Sequence, residues 1–119
     1  MDDRLKKALD VANQMVTFST QVDLIKQEFK EDCLYHENGH RFTVNRELIN
    51  FLSSLVTMGH LEDIVILDDF ENPFMINDVK LFLDKIFDLY VEGTNRYYQK
   101  YVEIKSKRSI AKIMDIENE

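Results

Sequence analysis

Asn38-Gly39 stands between two runs that read as β-strands, Cys33-Leu34-Tyr35-His36-Glu37 and His40-Arg41-Phe42-Thr43-Val44. Asn-Gly accepts positive φ at both central positions of a tight turn, which makes it the strongest short-range hairpin signal a sequence can carry. A two-residue turn also sets the register, pairing Glu37 with His40, Tyr35 with Phe42 and Cys33 with Val44. Side chains alternate along a strand, so Cys33, Tyr35, Phe42 and Val44 share one apolar face. Leu34, His36, Arg41 and Thr43 take the other, and the hairpin is predicted to be half-buried.

The flanking segments are helical. From Asp3 to about Glu31 there is no glycine or proline, and Leu5, Ala8, Leu9, Ala12, Met15, Val16, Ser19, Val22 and Ile25 follow helical spacing, predicting one amphipathic helix of roughly 40 Å. Asn45 is placed to cap a second helix of about four turns with Leu48, Phe51, Leu52 and Leu55 as its stripe, ending at Gly59. Ile64-Val65-Ile66-Leu67 is apolar on both strand faces, the pattern of a central strand, and Asp68 to Pro73 turns the chain into Phe74-Met75-Ile76. Asn77 is placed to cap a third helix that runs to about Lys107, with Val79, Phe82, Leu83, Ile86, Leu89, Tyr90, Gly93, Tyr97, Tyr101 and Ile104 on one face. Gly93 lies on that stripe, where it suits either a close helix crossing or a kink. Phe42-Thr43-Val44-Asn45 before the second helix is echoed by Phe74-Met75-Ile76-Asn77 before the third, a faint repeat. The order is long helix, β-hairpin, short helix, β-hairpin, long helix: an α+β fold with both hairpins, 33–44 and 63–76, in one antiparallel sheet. One proline and three glycines leave no room for a linker, so residues 1–119 are read as a single domain.

Catalytic chemistry finds no motif here. There is no nucleophile elbow, no glycine loop to cradle phosphate and no local Ser/His/Asp arrangement, so the chain is not expected to be an enzyme or to need a cofactor. His36 and His40 have a zinc-like spacing, but the hairpin register sends them to opposite faces, and no metal site is expected. His60 is expected at a helix C-terminus. Asp68, Asp69, Glu71 and Asp78 gather around the second turn without the calcium-loop pattern and are read as a solvated turn. Cys33 is the single cysteine, which excludes a disulfide framework, and it is expected to be a buried apolar residue. No run approaches the length of a membrane span, and Met1-Asp2-Asp3-Arg4 has no signal-peptide character, so a cytoplasmic location and no membrane partner are expected.

Charge carries more. The whole chain has a net charge of -7, which disfavours general attraction to nucleic acid. Residues 62–93 hold nine acidic residues against Lys80 and Lys85, whereas residues 94–112 hold Arg96, Lys100, Lys105, Lys107, Arg108 and Lys112 against Glu103 alone. Tyr97, Tyr98 and Tyr101 interleave with those cations, a combination that single-stranded nucleic-acid binders use for phosphate contact and base stacking. The alternative is a dipole-matched helix end, with Tyr97 and Tyr101 in the apolar stripe and Tyr98 left to stack.

Three resemblances bear on function. Leu48 to Met58, then Gly59-His60-Leu61 and the strand, turn and strand to Ile76, is similar to the recognition helix and wing of winged-helix domains. That implies DNA binding, although a hairpin stands where those domains have a helix and Arg46 is the sole cation from Asn45 to Met58. The whole element order resembles the alpha-type subunit of prefoldin, a coiled-coil chaperone. The segments Asn38-Gly39, Val65-Ile66-Leu67-Asp68-Asp69, Thr94-Asn95-Arg96-Tyr97-Tyr98 and Lys107-Arg108-Ser109-Ile110 resemble small uncharacterised proteins of T4-like tailed phages of marine bacteria, which implies a bacterial host cytoplasm. The expectation is a non-enzymatic protein that binds another protein in assembly or regulation and forms a homo-oligomer, a dimer, through its long helices, with Gly93, Tyr97 and Tyr101 at the interface. The alternative is a DNA- or RNA-binding protein acting through Arg46, Arg96, Tyr98, Lys100, Lys105, Lys107 and Arg108.

Overall fold

The computed structural model describes residues 2–117, with side chains over residues 2–108. Its elements are α1 (Asp3–Asp32), β1 (Leu34–Glu37), β2 (His40–Thr43), α2 (Arg46–Thr57), β3 (Glu62–Leu67), β4 (Pro73–Asp78) and α3 (Val79–Glu117), an α+β fold in the expected order. They form two compact units, Phe29–Asn95 and Met1–Glu28 with Arg96–Glu119, so that α1 and α3 each contribute to both.

In the Phe29–Asn95 unit the first hairpin has the register that Asn38-Gly39 dictates, with Tyr35 opposite Phe42 and Glu37 opposite His40. Asn38 and Gly39 both take positive φ, 50° and 80°. Cys33, Phe42 and Val44 are buried and Tyr35 is half-buried, so the apolar face is the inner one. Asn45 caps α2 by accepting the N–H of Leu48 at 2.9 Å. At the other end Gly59, at φ 84°, donates to Val56 O and His60 donates to Leu55 O, the paired bonds of a Schellman stop. It is thus the backbone N–H of His60 that meets the last carbonyls. On α2 the inner positions are Ile49 and Leu52, with Leu48, Leu55 and Val56 half-buried, while Phe51, expected on the stripe, is exposed. Phe42, Phe74 and Phe82 meet edge to face or tilted at 5.4 to 6.0 Å between centroids, and Tyr35 joins Phe82 at 5.7 Å. Such pairs add about 0.5–1.5 kcal/mol each beyond burial.

Four expectations need correction. The hairpins do not share a sheet: β1–β2 and β3–β4 are separate two-stranded sheets. The outer edge of β2 is taken by a single residue of the second turn, since Asp69 donates its N–H to Arg41 O and accepts the N–H of Thr43 on its carboxylate, both at 2.9 Å. For the same reason β3 is no central strand. Ile66 is buried and Ile64 half-buried, but Val65 and Leu67 face outward. The second turn is not simply solvated, because Asp68 is buried. Finally, β4 runs one residue past Asn77, and Asp78 caps α3 by accepting the N–H of Leu81 at 3.1 Å.

α3 passes through Gly93 as continuous helix. A Cβ built there would lie 3.6 to 3.7 Å from Cys33, Asp32 and Phe29, so the glycine allows the two helices of its own chain to come close. Cys33 is buried, and burial first, then the charge of Asp32, raises its thiol pKa, which keeps it protonated and unreactive.

In the Met1–Glu28 and Arg96–Glu119 unit, α1 and α3 run antiparallel. Glu28 pairs with Lys100 at 2.6 Å, and Phe18 lies under the Arg108 guanidinium at 4.6 Å. No glycine or proline follows Gly93, so α3 continues ten residues beyond its expected end to Glu117. Among the described side chains of this unit, Ile25 is the one buried residue.

Candidate functional site

Three surfaces are candidates, two of them involving α3 and the third on the β3–β4 hairpin. The first is an open groove of about 660 Å³ along the α1–α3 pair, lined by Met15, Phe18, Val22, Tyr97 and Tyr101 with Asp23, Lys26 and Arg108 at its margin. Tyr97 and Tyr101 are one helical turn apart and stack at 6.5 Å with 6° between ring planes. Their rings are half-buried, and Met15 is 55% exposed. On α1, Leu5, Leu9 and Val16 are exposed as well, at spacings of four and seven residues that place them on one face of the helix. An aqueous two-helix element with this much open apolar surface offers contact area and little chemistry, which suits the packing of further helices.

The second candidate is the basic stretch of α3. Lys100 is paired with Glu28, Lys107 with Glu103 at 3.2 Å, and Arg108 rests on Phe18. Arg96 and Lys105 are engaged as well. Tyr98 is 67% exposed, the one of the three tyrosines whose ring is open for stacking. Single-stranded nucleic acid is held by successive rings beside cations, and here one ring and partly committed cations stand together. Surface ion pairs of this kind are weak, so phosphate could compete for the lysines. Lys112 lies outside the residues whose side chains are described. Arg46 opens α2 in the other unit, exposed in the first turn.

The third is the β3–β4 hairpin. At its turn Asp68 accepts the N–H groups of Phe70 and Asn72 at 2.9 Å on one oxygen and meets His40 Nδ1 at 2.7 Å on the other. Burial alone would raise its pKa, but the bonds from Asn72, His40 and Phe70 outweigh it and hold the carboxyl below the usual range. Asp69 behaves likewise: burial opposes ionisation, and Thr43 and Arg41 more than reverse it. Both groups are ionised at neutral pH with their oxygens committed to the fold, which suits a latch between hairpins and not proton transfer. Among the described residues no three His, Cys, Asp or Glu side chains come together as a metal site. The outward face of the same hairpin carries Val65 opposite Met75 and Leu67 opposite Pro73, with all four exposed. Sequence reasoning missed this face because four apolar residues in a row read as a strand covered on both sides.

Gly93, expected at an interface between subunits, is buried against α1 of its own chain. Among the described residues no helix is long and apolar enough to cross a membrane. Comparison with protein-family models, with curated proteins and with solved structures finds no match.

Proposed function

We propose that the protein works by binding other proteins, as a homodimer assembled through α1 and α3, and not by catalysis. The observation that carries this reading is the two-helix unit itself, where Ile25 is the one buried residue among the described side chains while Leu5, Leu9, Met15 and Val16 are exposed. Helix pairs gain most of their stability from a covered apolar face, and a twofold partner offering the same stripe would complete a four-helix arrangement. Light scattering over a wide concentration range tests it. A mass of twice the 14.1 kDa of one chain supports the dimer, and a concentration-independent mass of one chain ends it.

A second reading, binding of single-stranded nucleic acid along α3, rests on exposed Tyr98 among Arg96, Lys100 and Lys105. Retention on a DNA or RNA matrix that falls steeply with salt would favour it, because phosphate contacts release counterions.

A further inference from the structure

We propose that the outward face of the β3–β4 hairpin is a docking site for a basic amphipathic helix of a partner protein. This rests on the protein-binding reading and adds to it a second surface and the chemistry of the partner. Strand alternation puts Val65, Leu67, Pro73 and Met75 together on the side away from buried Ile66, Phe74 and Ile76. Val65 is 54%, Leu67 61% and Met75 51% exposed, so two adjacent cross-strand pairs form one apolar patch.

Charge names the occupant. Residues 62–78 contain six carboxylates and no lysine or arginine. Asp68 and Asp69 are committed to His40, Arg41 and Thr43, Asp78 caps α3, and Glu62 alternates onto the side of Ile64 and Ile66, which leaves Asp63 at one end of the ribbon and Glu71 at the other, both exposed. An apolar patch with negative charge at both ends is complementary to apolar residues flanked by cations. Geometry selects a helix: side chains two apart on a strand are roughly 6.7 Å apart, close to the roughly 6 Å between positions i and i+4 of a helix. Sheet faces are covered by helices or other sheets, whereas an added strand would pair at the edge and leave the patch bare. Four side chains make a small interface, so the complex is a transient one.

The probe is a fluorescein-labelled helical peptide with leucines on one face and lysines on the other, beside a counterpart with glutamate for lysine, read by fluorescence anisotropy against the full chain. The leucine–lysine peptide should bind with an affinity that falls as salt rises, and the glutamate peptide should not bind. Leu67→Thr with Met75→Thr, which keeps strand-compatible side chains at exposed positions, should weaken binding about tenfold or more. Asp63→Asn with Glu71→Gln should weaken it severalfold and flatten the salt dependence. Circular dichroism checks that each variant folds. Equal binding by the Thr variant, or binding of both peptides alike, overturns the proposal. Light scattering on the same Thr variant separates the two readings. An unchanged mass with lost peptide binding supports a partner helix here whatever the oligomeric state, whereas a fall from dimer to monomer assigns this face to a second copy and overturns it.

Discussion

The carboxylate of Asp69 accepts both the backbone N–H and the hydroxyl of Thr43, at 2.9 and 2.8 Å, across a sequence separation of 26 residues. With Arg41 Nε at 3.0 Å on the same carboxylate, and the Asp69 N–H on Arg41 O, one residue covers the edge of β2. Asp69→Ala should therefore cost about 1–2 kcal/mol, kept modest by the partial exposure of the pair, and leave the Thr43 N–H at the strand edge unpaired. Urea denaturation measures the cost, and turbidity at high concentration reports the edge. A stability equal to wild type would remove Asp69 as the link between hairpins.

Acid should loosen the same link. Both Asp68 and Asp69 have folded pKa values below the ordinary carboxylate value, despite the opposing effect of burial, through the bonds from Asn72, His40 and Phe70 and from Thr43 and Arg41 respectively. A depressed folded pKa contributes stability that is present above the unfolded value of about 4 and is lost as pH falls through the folded one. Thermal melts should thus decline below about pH 4, and Asp69→Asn should decline less steeply than wild type. Parallel pH profiles for the two proteins would refute the assignment.

At Asp68 the turn geometry and the charge are separable. Asp68→Asn keeps an oxygen for the N–H groups of Phe70 and Asn72, whereas Asp68→Ala removes it. The alanine variant should melt well below the asparagine one. Equal melting temperatures would mean that the turn holds without its side-chain bonds.

How much of this was legible in the sequence follows the range of each interaction. Asn38-Gly39, the Asn45 cap and the Gly59 stop are local devices, and their residues alone predict the register of the first hairpin and both ends of α2. The separation into two sheets depends on Asp69 reaching Arg41 and Thr43, a long-range choice that no local pattern encodes. The same holds at Gly93: a glycine on a stripe fits a kink or a crossing, and only the presence of Phe29, Asp32 and Cys33 beside it selects the crossing within the chain.

That crossing gives a graded test. The nearest atoms lie 3.6 to 3.7 Å from a Cβ at position 93, ordinary contact, so Gly93→Ala should be neutral or gain up to about 1 kcal/mol from helix propensity. Gly93→Leu must push further into Phe29 and Cys33 and should lose about 1–3 kcal/mol by overpacking. Thermal denaturation reads both. A loss of assembly with no loss of stability in the leucine variant would instead make Gly93 a contact between subunits.

The dimer makes the last prediction, on the face of α1 that bears Leu9 and Val16. They are 45% and 64% exposed, and replacing both by glutamine keeps good helix formers or improves them while removing apolar area. In a twofold dimer each substitution acts twice, so four side chains leave the interface, at about 3–6 kcal/mol for the area that one chain alone leaves open. Leu9→Gln with Val16→Gln should then run at the mass of one chain where wild type runs as two, with helical content by circular dichroism unchanged. The β3–β4 face is untouched by these changes, so peptide binding there should persist in the monomer. A variant that stays dimeric would mean that α1 meets its partner through another face.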